Sequence, residues 1–376
     1  MKKRVGIITL YHNSQNYGGL LQAYALVKIL KLKGYDAEQI DFDNQRKDLL
    51  TQIKIFIKKS FDKKEKNFIN EEKEEFLKQR KSAIKYFREE HIPHSKNVYT
   101  YDNLDKLNSI YDIFICGSDQ IWNYYRSSAY YLTFVKDNKI KFSYAAGMSN
   151  INMNKKDLKW TFNALSRLDG VSVREKETKN NFFKLNKDIR IVLDPTLLIS
   201  EVDWRKISLK PNIKEKYLLC YFLSPNSRIR ELATDFAQIN NYRVVTIPYI
   251  NKSCYFVDDI YGDIKLSEVD PLLLLGLIDN AEVIFTDSFH VSLFSLLFKK
   301  ELYCFSRIDY PEMDVRIDNL FELFEVDNSI INISSSALEN KIFKRAPLSY
   351  SKKCQKLEKM KINSNIFLEE MLNITK

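Results

Sequence analysis

His290 is the residue in this chain whose neighbours best equip it to handle a proton beside an anion. It follows Thr286, Asp287, Ser288 and Phe289, and it precedes a dense apolar run of Val291, Leu293, Phe294, Leu296, Leu297 and Phe298. Upstream, Ala281–Phe285 is a short apolar run with β-branched residues, which predicts a buried strand. Thr286, Asp287 and Ser288 suit a turn or a helix N-cap. Lys299 and Lys300 suit a last helical turn, where cations favour the dipole. Leu302–Phe305 resumes as a strand. The histidine therefore stands at the carboxyl end of a strand and the amino end of a helix. Ligands bind in that crevice in open α/β sheets, and the first N–H groups of a helix attract anions. Two readings stay open for His290: a satisfied structural histidine, or a group that donates to a bound ligand.

Three further stretches could do chemistry. Gly170–Val173 reads as a strand that delivers Arg174 and Glu175 at its end. An arginine there can grip phosphate or carboxylate bidentately, or form an Arg–Glu surface pair. Tyr111–Cys116 predicts another strand, followed by Gly117-Ser118-Asp119-Gln120 and Trp122. Glycine supplies the turn, and Ser118 and Asp119 either cap or contact a ligand. Trp122 is either a flat face for a sugar or a core residue. Asn16 to Gly19 closes a polar loop before a helix at Leu20–Leu32. Gly18 and Gly19 would let a ligand approach the helix start, or would serve tight packing of helix on strand. The loop lacks the G-x-G-x-x-G pattern of a dinucleotide site.

These residues need a frame of parallel strands and crossover helices. Val5–Leu10, the Leu20–Leu32 helix ended by Gly34, and Ala37–Phe42 make a βαβ start. Strands at Lys141–Ala146 and Ile189–Leu193 and a helix at Asp157–Leu168 extend it. Asp194-Pro195 breaks the pattern, and Leu197–Ser208 reads as a linking segment. A second α/β domain follows, with strands at Tyr217–Leu223 and Arg243–Pro248 and helices at Arg228–Ile239 and Pro271–Asp279. Val315–Leu323 carries Arg316, either a further anion contact or a solvated arginine. The expected organisation is a domain over 1–208 with a Lys/Glu-rich helical insertion near 45–92, a second over 209–345, and a helical segment over 346–376.

The chain has 376 residues, 45% of them hydrophobic, and a net charge of +10. Its length allows two cores, and its charge suits anionic partners or simple solubility. Five cysteines, Cys116, Cys220, Cys254, Cys304 and Cys354, form no CxxC pair, so neither a zinc site nor a disulfide framework is indicated. No stretch has the ~20 apolar residues of a membrane span, and the N-terminus is no signal peptide. The expected compartment is cytoplasmic. Ile53, Ile55, Phe56, Ile57 and Phe61 alternate with Lys54, Lys58, Lys59, Lys63 and Lys64. That stretch is either a surface helix packed on its domain or a peripheral contact with the inner face of an anionic membrane. Nucleic acid is not expected, because the basic charge is spread rather than grouped with aromatics.

DSFHVSLFSLLFKKELYCF resembles the C-terminal signature of the polysaccharide pyruvyl transferase family. NYGGLLQAYAL, FICGSDQIWN and SVRE followed by VLDPTLL match other stretches in the same order. The resemblance spans most of the chain. Val291 stands where the family has glycine, and Ser288 where some members carry arginine. The resemblance implies an α/β fold of two Rossmann-like domains facing a central cleft (GT-B-like), with a final helix packing back on the first domain. It implies phosphoenolpyruvate as donor and a sugar as acceptor, lipid-linked or nucleotide-linked, with no cofactor and no metal. The product is a pyruvate ketal on a cell-surface polysaccharide precursor. The chemistry needs an acid, a base and cations. The resemblance implies His290 as acid or phosphate donor, Asp119 as base with Asp287 competing, and Arg174 as the phosphoenolpyruvate cation. Ser288 and the Phe289 backbone would complete an anion nest, and Asn16, Gly18, Ser118 and Gln120 would line the cleft. Two rivals are a GT-B glycosyltransferase using a nucleotide sugar and a non-catalytic glycan-assembly protein that binds an anionic polymer.

Overall fold

The computed structural model describes residues 2–45, 71–124, 127–148, 154–182, 187–248, 261–307, 312–335, 338–352 and 354–376. The basic amphipathic stretch 53–64, the insertion up to residue 70 and Cys254 lie outside the described residues. The chain divides into two compact units, Met1–Leu198 with Ser364–Lys376, and Ile199–Asn363.

The first unit contains β1 (Arg4–Ile8), α1 (Tyr17–Leu32), β2 (Asp36–Gln39), α2 (Glu71–His91), β3 (Ile113–Cys116), β4 (Ile140–Ala146), α3 (Lys155–Ser166), β5 (Gly170–Val173), α4 (Lys176–Asn181) and β6 (Ile189–Ile191). Its six-stranded sheet has the order β2-β1-β3-β4-β5-β6, and every pairing is parallel. Every residue of β3, β4 and β5 is buried, as parallel strands covered on both faces require. The chain leaves β1 towards β2 on one side and finds β3 on the other. The β1/β3 boundary is thus a topological switch point, where a crevice opens beyond the strand ends.

The second unit contains α5 (Glu201–Ile207), β7 (Tyr217–Tyr221), α6 (Ser227–Asn240), β8 (Arg243–Thr246), β9 (Ile264–Lys265), α7 (Pro271–Asn280), β10 (Val283–Thr286), α8 (Phe289–Leu297), β11 (Glu301–Cys304), α9 (Glu312–Phe324) and α10 (Leu338–Phe343). Its parallel sheet runs β11-β10-β7-β8-β9, with the switch point between β7 and β10.

The expected linking segment 197–208 is instead largely the helix α5. Ser200 caps it by accepting from the Asp203 N–H, and fully buried Trp204 meets the Phe294 ring edge-on at 5.2 Å. The final helix, α11 (Gln355–Leu372), gives its last two turns to the first unit. There Phe367, Leu368 and Leu372 are buried, and Ser364 Oγ accepts from the Leu193 N–H at 2.9 Å. α8 ends at Leu297, one turn before Lys300. Lys299 takes a left-handed φ of 56°, and Lys300 Nζ donates to the Asp279 carbonyl at 3.0 Å instead of meeting the α8 terminus. Among the described residues, no helix is long and apolar enough to cross a membrane. Among the same residues, no group of three His, Cys, Asp or Glu side chains is placed to hold a metal ion.

Candidate functional site

The sequence-predicted residues fall at the carboxyl ends of both sheets, each group at its own switch point. In the first unit, α1 starts where the sheet order reverses. Asn16 is its N-cap, with Oδ1 accepting from the Gly19 N–H at 3.1 Å. Gly18 lies in the first helical turn and is buried. Gln22 ties the helix start to the β3 loop: its Oε1 accepts from Ser118 Oγ at 2.7 Å and from the Ser118 N–H at 3.2 Å. Its Nε2 donates to the Gly19 carbonyl at 2.7 Å and to Thr9 Oγ1 at 3.3 Å. Thr9 Oγ1 donates to the Ser118 carbonyl at 3.1 Å. Ser118 is therefore fully buried and bonded within the protein. The expectation that it touches a ligand gives way to one that it locks two loops together. Gln22 was the residue to notice, a long amide within an apolar helix face.

The turn after β3 holds Asp119 in a left-handed conformation, φ 65°, which costs a non-glycine residue about 1–3 kcal/mol and occurs where surrounding structure enforces it. The enforcing contacts come from the end of β4. The Asp119 carbonyl accepts from Gly147 N–H at 2.8 Å, and a bulge between Ser143 and Ala146 sets that strand end. Gln120 lies alongside: a Cβ at Gly147 would stand 3.0 Å from Gln120 Nε2 and 3.0 Å from Glu175 Oε2. Both polar atoms of the Gln120 amide are buried without a hydrogen-bond partner among the described residues. A buried amide in that state is suited to a ligand. Trp122 is a core residue, fully buried and stacked on Tyr131 at 5.6 Å.

Arg174 is placed otherwise than its sequence context implies. Its side chain is 5% exposed and binds three carboxylates: Asp194 at 2.7 Å, Glu175 at 2.8 Å and Asp119 at 3.3 Å. Burial works against its charge, but Glu175, Asp194 and Asp119 outweigh burial and raise its pKa. Asp194 is held in turn by the Thr196 hydroxyl at 2.7 Å. The guanidinium is committed to carboxylates, so the expected grip on an anionic ligand is replaced by a hub that orients Asp119.

The same switch point carries residues that sequence reasoning passed over. A cavity of about 270 Å³ is lined by Tyr11, His12, Asn16, Phe42, Asp119 and Tyr130, among others. His12 Nδ1 lies 2.7 Å from Asp41 Oδ1, and His12 Nε2 lies 2.8 Å from Asn13 Nδ2. His290 is thus one of two histidines at strand ends. The rule that selects His290 also selects His12, which stands between the Val5–Leu10 run and the polar loop ending at Gly19. Asp41 lies two residues beyond β2, so no local spacing links the pair.

In the second unit, Asp287 follows β10 and is buried. Its Oδ1 accepts from the Leu223 N–H at 2.6 Å, bridging the β7/β10 switch point. Burial raises its pKa, against the pull of Arg307 and Arg230. The Asp287 carboxylate is a strut and does not cap α8. Ser288 occupies the N-cap position of α8 and makes no side-chain capping bond. Phe289 is buried, and partly buried His290 meets its ring edge-on at 5.1 Å. Arg316, from α9, lies over the Phe289 ring at 4.5 Å and is 6% exposed, which removes the solvated reading of this arginine. Val291 is buried in the core. The α8 start therefore combines a helix N-terminus, an imidazole and a guanidinium, which suits an anion that also needs a proton.

The sequence profile of the family described as polysaccharide pyruvyl transferase matches residues 16–310. No curated protein sequence matches the chain. Among solved structures, the UDP-GlcNAc 2-epimerase of Methanocaldococcus jannaschii, in complex with UDP-GlcNAc and UDP, is similar with a TM-score of 0.56 at 15% identity, over 98% of this chain and 100% of that one. The UDP-N-acetylglucosamine 2-epimerase of Rickettsia bellii gives 0.55 at 9% identity, over 100% and 97% of the two chains. That of Neisseria meningitidis, bound to UDP-GlcNAc, gives 0.53 at 12% identity, over 100% of both. At these identities the likeness is one of fold, with two Rossmann-like units of the GT-B type.

Proposed function

This chain belongs to the polysaccharide pyruvyl transferase family, and from that premise we propose that it moves the pyruvyl group of phosphoenolpyruvate to two hydroxyls of a sugar, closing a pyruvate ketal and releasing phosphate. The acceptor is a polysaccharide precursor, carried on a lipid or a nucleotide, and the chain works at the cytoplasmic side of the membrane. The observation that carries this reading is the start of α8, where His290, the Ser288–Phe289 backbone and Arg316 stand together at a strand end. Phosphoenolpyruvate brings a carboxylate and a phosphate, which need cations and N–H donors. Its methylene carbon needs a proton, and His290 is the donor. Arg316 supplies from α9 the positive charge that Ser288 lacks. Arg174 acts as a positioning residue for Asp119. Asp119 contributes a hydrogen-bond acceptor to the sugar.

Binding of the donor tests this site. Phosphoenolpyruvate should raise the Tm of the wild type. Arg316→Met, which keeps the stem over Phe289, should weaken that binding roughly 10–100-fold, the loss expected for a charge-assisted hydrogen bond. Stabilisation by a nucleotide sugar and none by phosphoenolpyruvate would instead support a glycosyltransferase.

A further inference from the structure

We propose that the cavity at the β1/β3 switch point binds the acceptor sugar, and that His12, oriented by Asp41, takes the proton from its attacking hydroxyl. This rests on the pyruvyl-transfer reading above. His12 lines the cavity with a side chain 21% exposed, and Asp41 stands behind it at 2.7 Å. An ionised carboxylate only accepts hydrogen bonds, so Asp41 places the imidazole proton on Nδ1. Asn13 reaches the same assignment from the other side. Arg88 of α2 donates to Asn13 Oδ1 at 3.5 Å, so the Asn13 amide turns its NH2 towards His12, and Nε2 must accept. Asp41 and Asn13 thus favour the same tautomer, with Nε2 as acceptor. The Nε2 lone pair accepts from Asn13 Nδ2, so the imidazole takes a substrate proton when the acceptor hydroxyl replaces that amide, and Asp41 backs the imidazolium that forms.

The cavity has the composition a sugar needs. Phe42 and Tyr130 meet edge-on at 5.8 Å and form an aromatic wall. Asn16 and Asp119 supply polar groups on the same cavity. A few oriented polar groups among aromatics are the usual makeup of a small-molecule site. Asp119 is the weaker base, because its carboxylate is already bound to Arg174 at 3.3 Å.

The step balances. C3 of phosphoenolpyruvate takes its proton from the acid of the donor site, and C2 becomes electrophilic. The first acceptor oxygen bonds to C2 as its proton passes to His12 Nε2, where Asp41 stabilises the imidazolium. The C2–O bond to phosphate then breaks with its electron pair on phosphate. The second hydroxyl bonds to C2 and gives its proton to the departing phosphate. Solvent takes up the His12 proton and resupplies the acid of the donor site.

His12→Gln and Asp41→Asn in the full chain test the assignment by two independent readouts. In phosphate release from phosphoenolpyruvate with a saccharide acceptor, His12→Gln should lower kcat by roughly 10²–10⁴-fold and leave the KM for phosphoenolpyruvate within about twofold. Retention of kcat within about threefold of wild type would overturn the role. In ¹⁵N NMR of the imidazole rings, assigned with His12→Gln, the wild-type His12 should carry its proton on Nδ1. Asp41→Asn should shift it towards Nε2, and methyl glycosides should perturb the His12 signals. A proton on Nε2 in the wild type, or no response to any glycoside, overturns the proposal even if phosphoenolpyruvate proves to be the wrong donor. Failure of wild-type turnover with an intact NMR result would overturn the donor reading alone.

Discussion

Arg174 and Asp287 are both buried charges, and their surroundings predict opposite responses to mutation. Arg174 neutralises part of a cluster of three carboxylates. Arg174→Ala leaves those carboxylates buried together, so it should cost about 3–5 kcal/mol of stability, measured by urea unfolding. An unchanged unfolding midpoint with a raised KM for phosphoenolpyruvate would return Arg174 to direct ligand contact. Asp287 accepts from the Leu223 N–H, and burial raises its pKa above the unfolded value. Its stabilising contribution is therefore present in acid and lost as pH rises through the folded pKa. Asp287→Asn keeps an oxygen for Leu223 and carries no charge. Its Tm relative to wild type should be highest near pH 7 and should converge on or fall below wild type towards pH 4. A difference independent of pH would show that the carboxylate is not the source.

At the scale of elements, close approaches fix where chains cross. α7 passes the 209–211 segment so tightly that a Cβ on Gly276 would stand 1.8 Å from the Leu209 carbonyl oxygen. Both are backbone-fixed, so Gly276→Ala must displace one and should cost roughly 1–3 kcal/mol or more in thermal or urea unfolding. Gly34→Ala separates the two causes: open space surrounds that glycine but its φ is +93°, so any loss there reports backbone strain without a clash. Gln22→Leu removes the bonds that join α1 to the β3 loop and leaves the buried Ser118 hydroxyl and N–H without their acceptor, while Thr9 keeps the Ser118 carbonyl. A loss of about 1–3 kcal/mol follows, and Asp119 should lose its position as well. Wild-type stability in Gln22→Leu would mean that the loop is held elsewhere. Element types were legible where strands are apolar on both faces, as in Ile113–Cys116. The helix α5 was not, because its one core residue, Trp204, gives no periodic signal over seven positions.

Across the whole molecule, the two parallel sheets were legible because alternating apolar runs and capped helices repeat twice. Sheet order was not, because it depends on which face each crossover takes, and sheet order is what creates the two switch points. His290 was readable because its strand, turn and helix are contiguous. The His12–Asp41 pair was not, since the partners lie 29 positions apart and meet only through β1–β2 pairing. Arg174 was misread for the same reason: Asp119 and Asp194 reach it from 55 and 20 positions away. The measurement that tests the account most directly is phosphate release from phosphoenolpyruvate by purified protein across a panel of lipid-linked, nucleotide-linked and simple glycosides, with the ketal identified by mass spectrometry. The account predicts release that requires an acceptor, yields one ketal per phosphate, and is abolished in His290→Ala. Release without ketal, or full activity in His290→Ala, would contradict it.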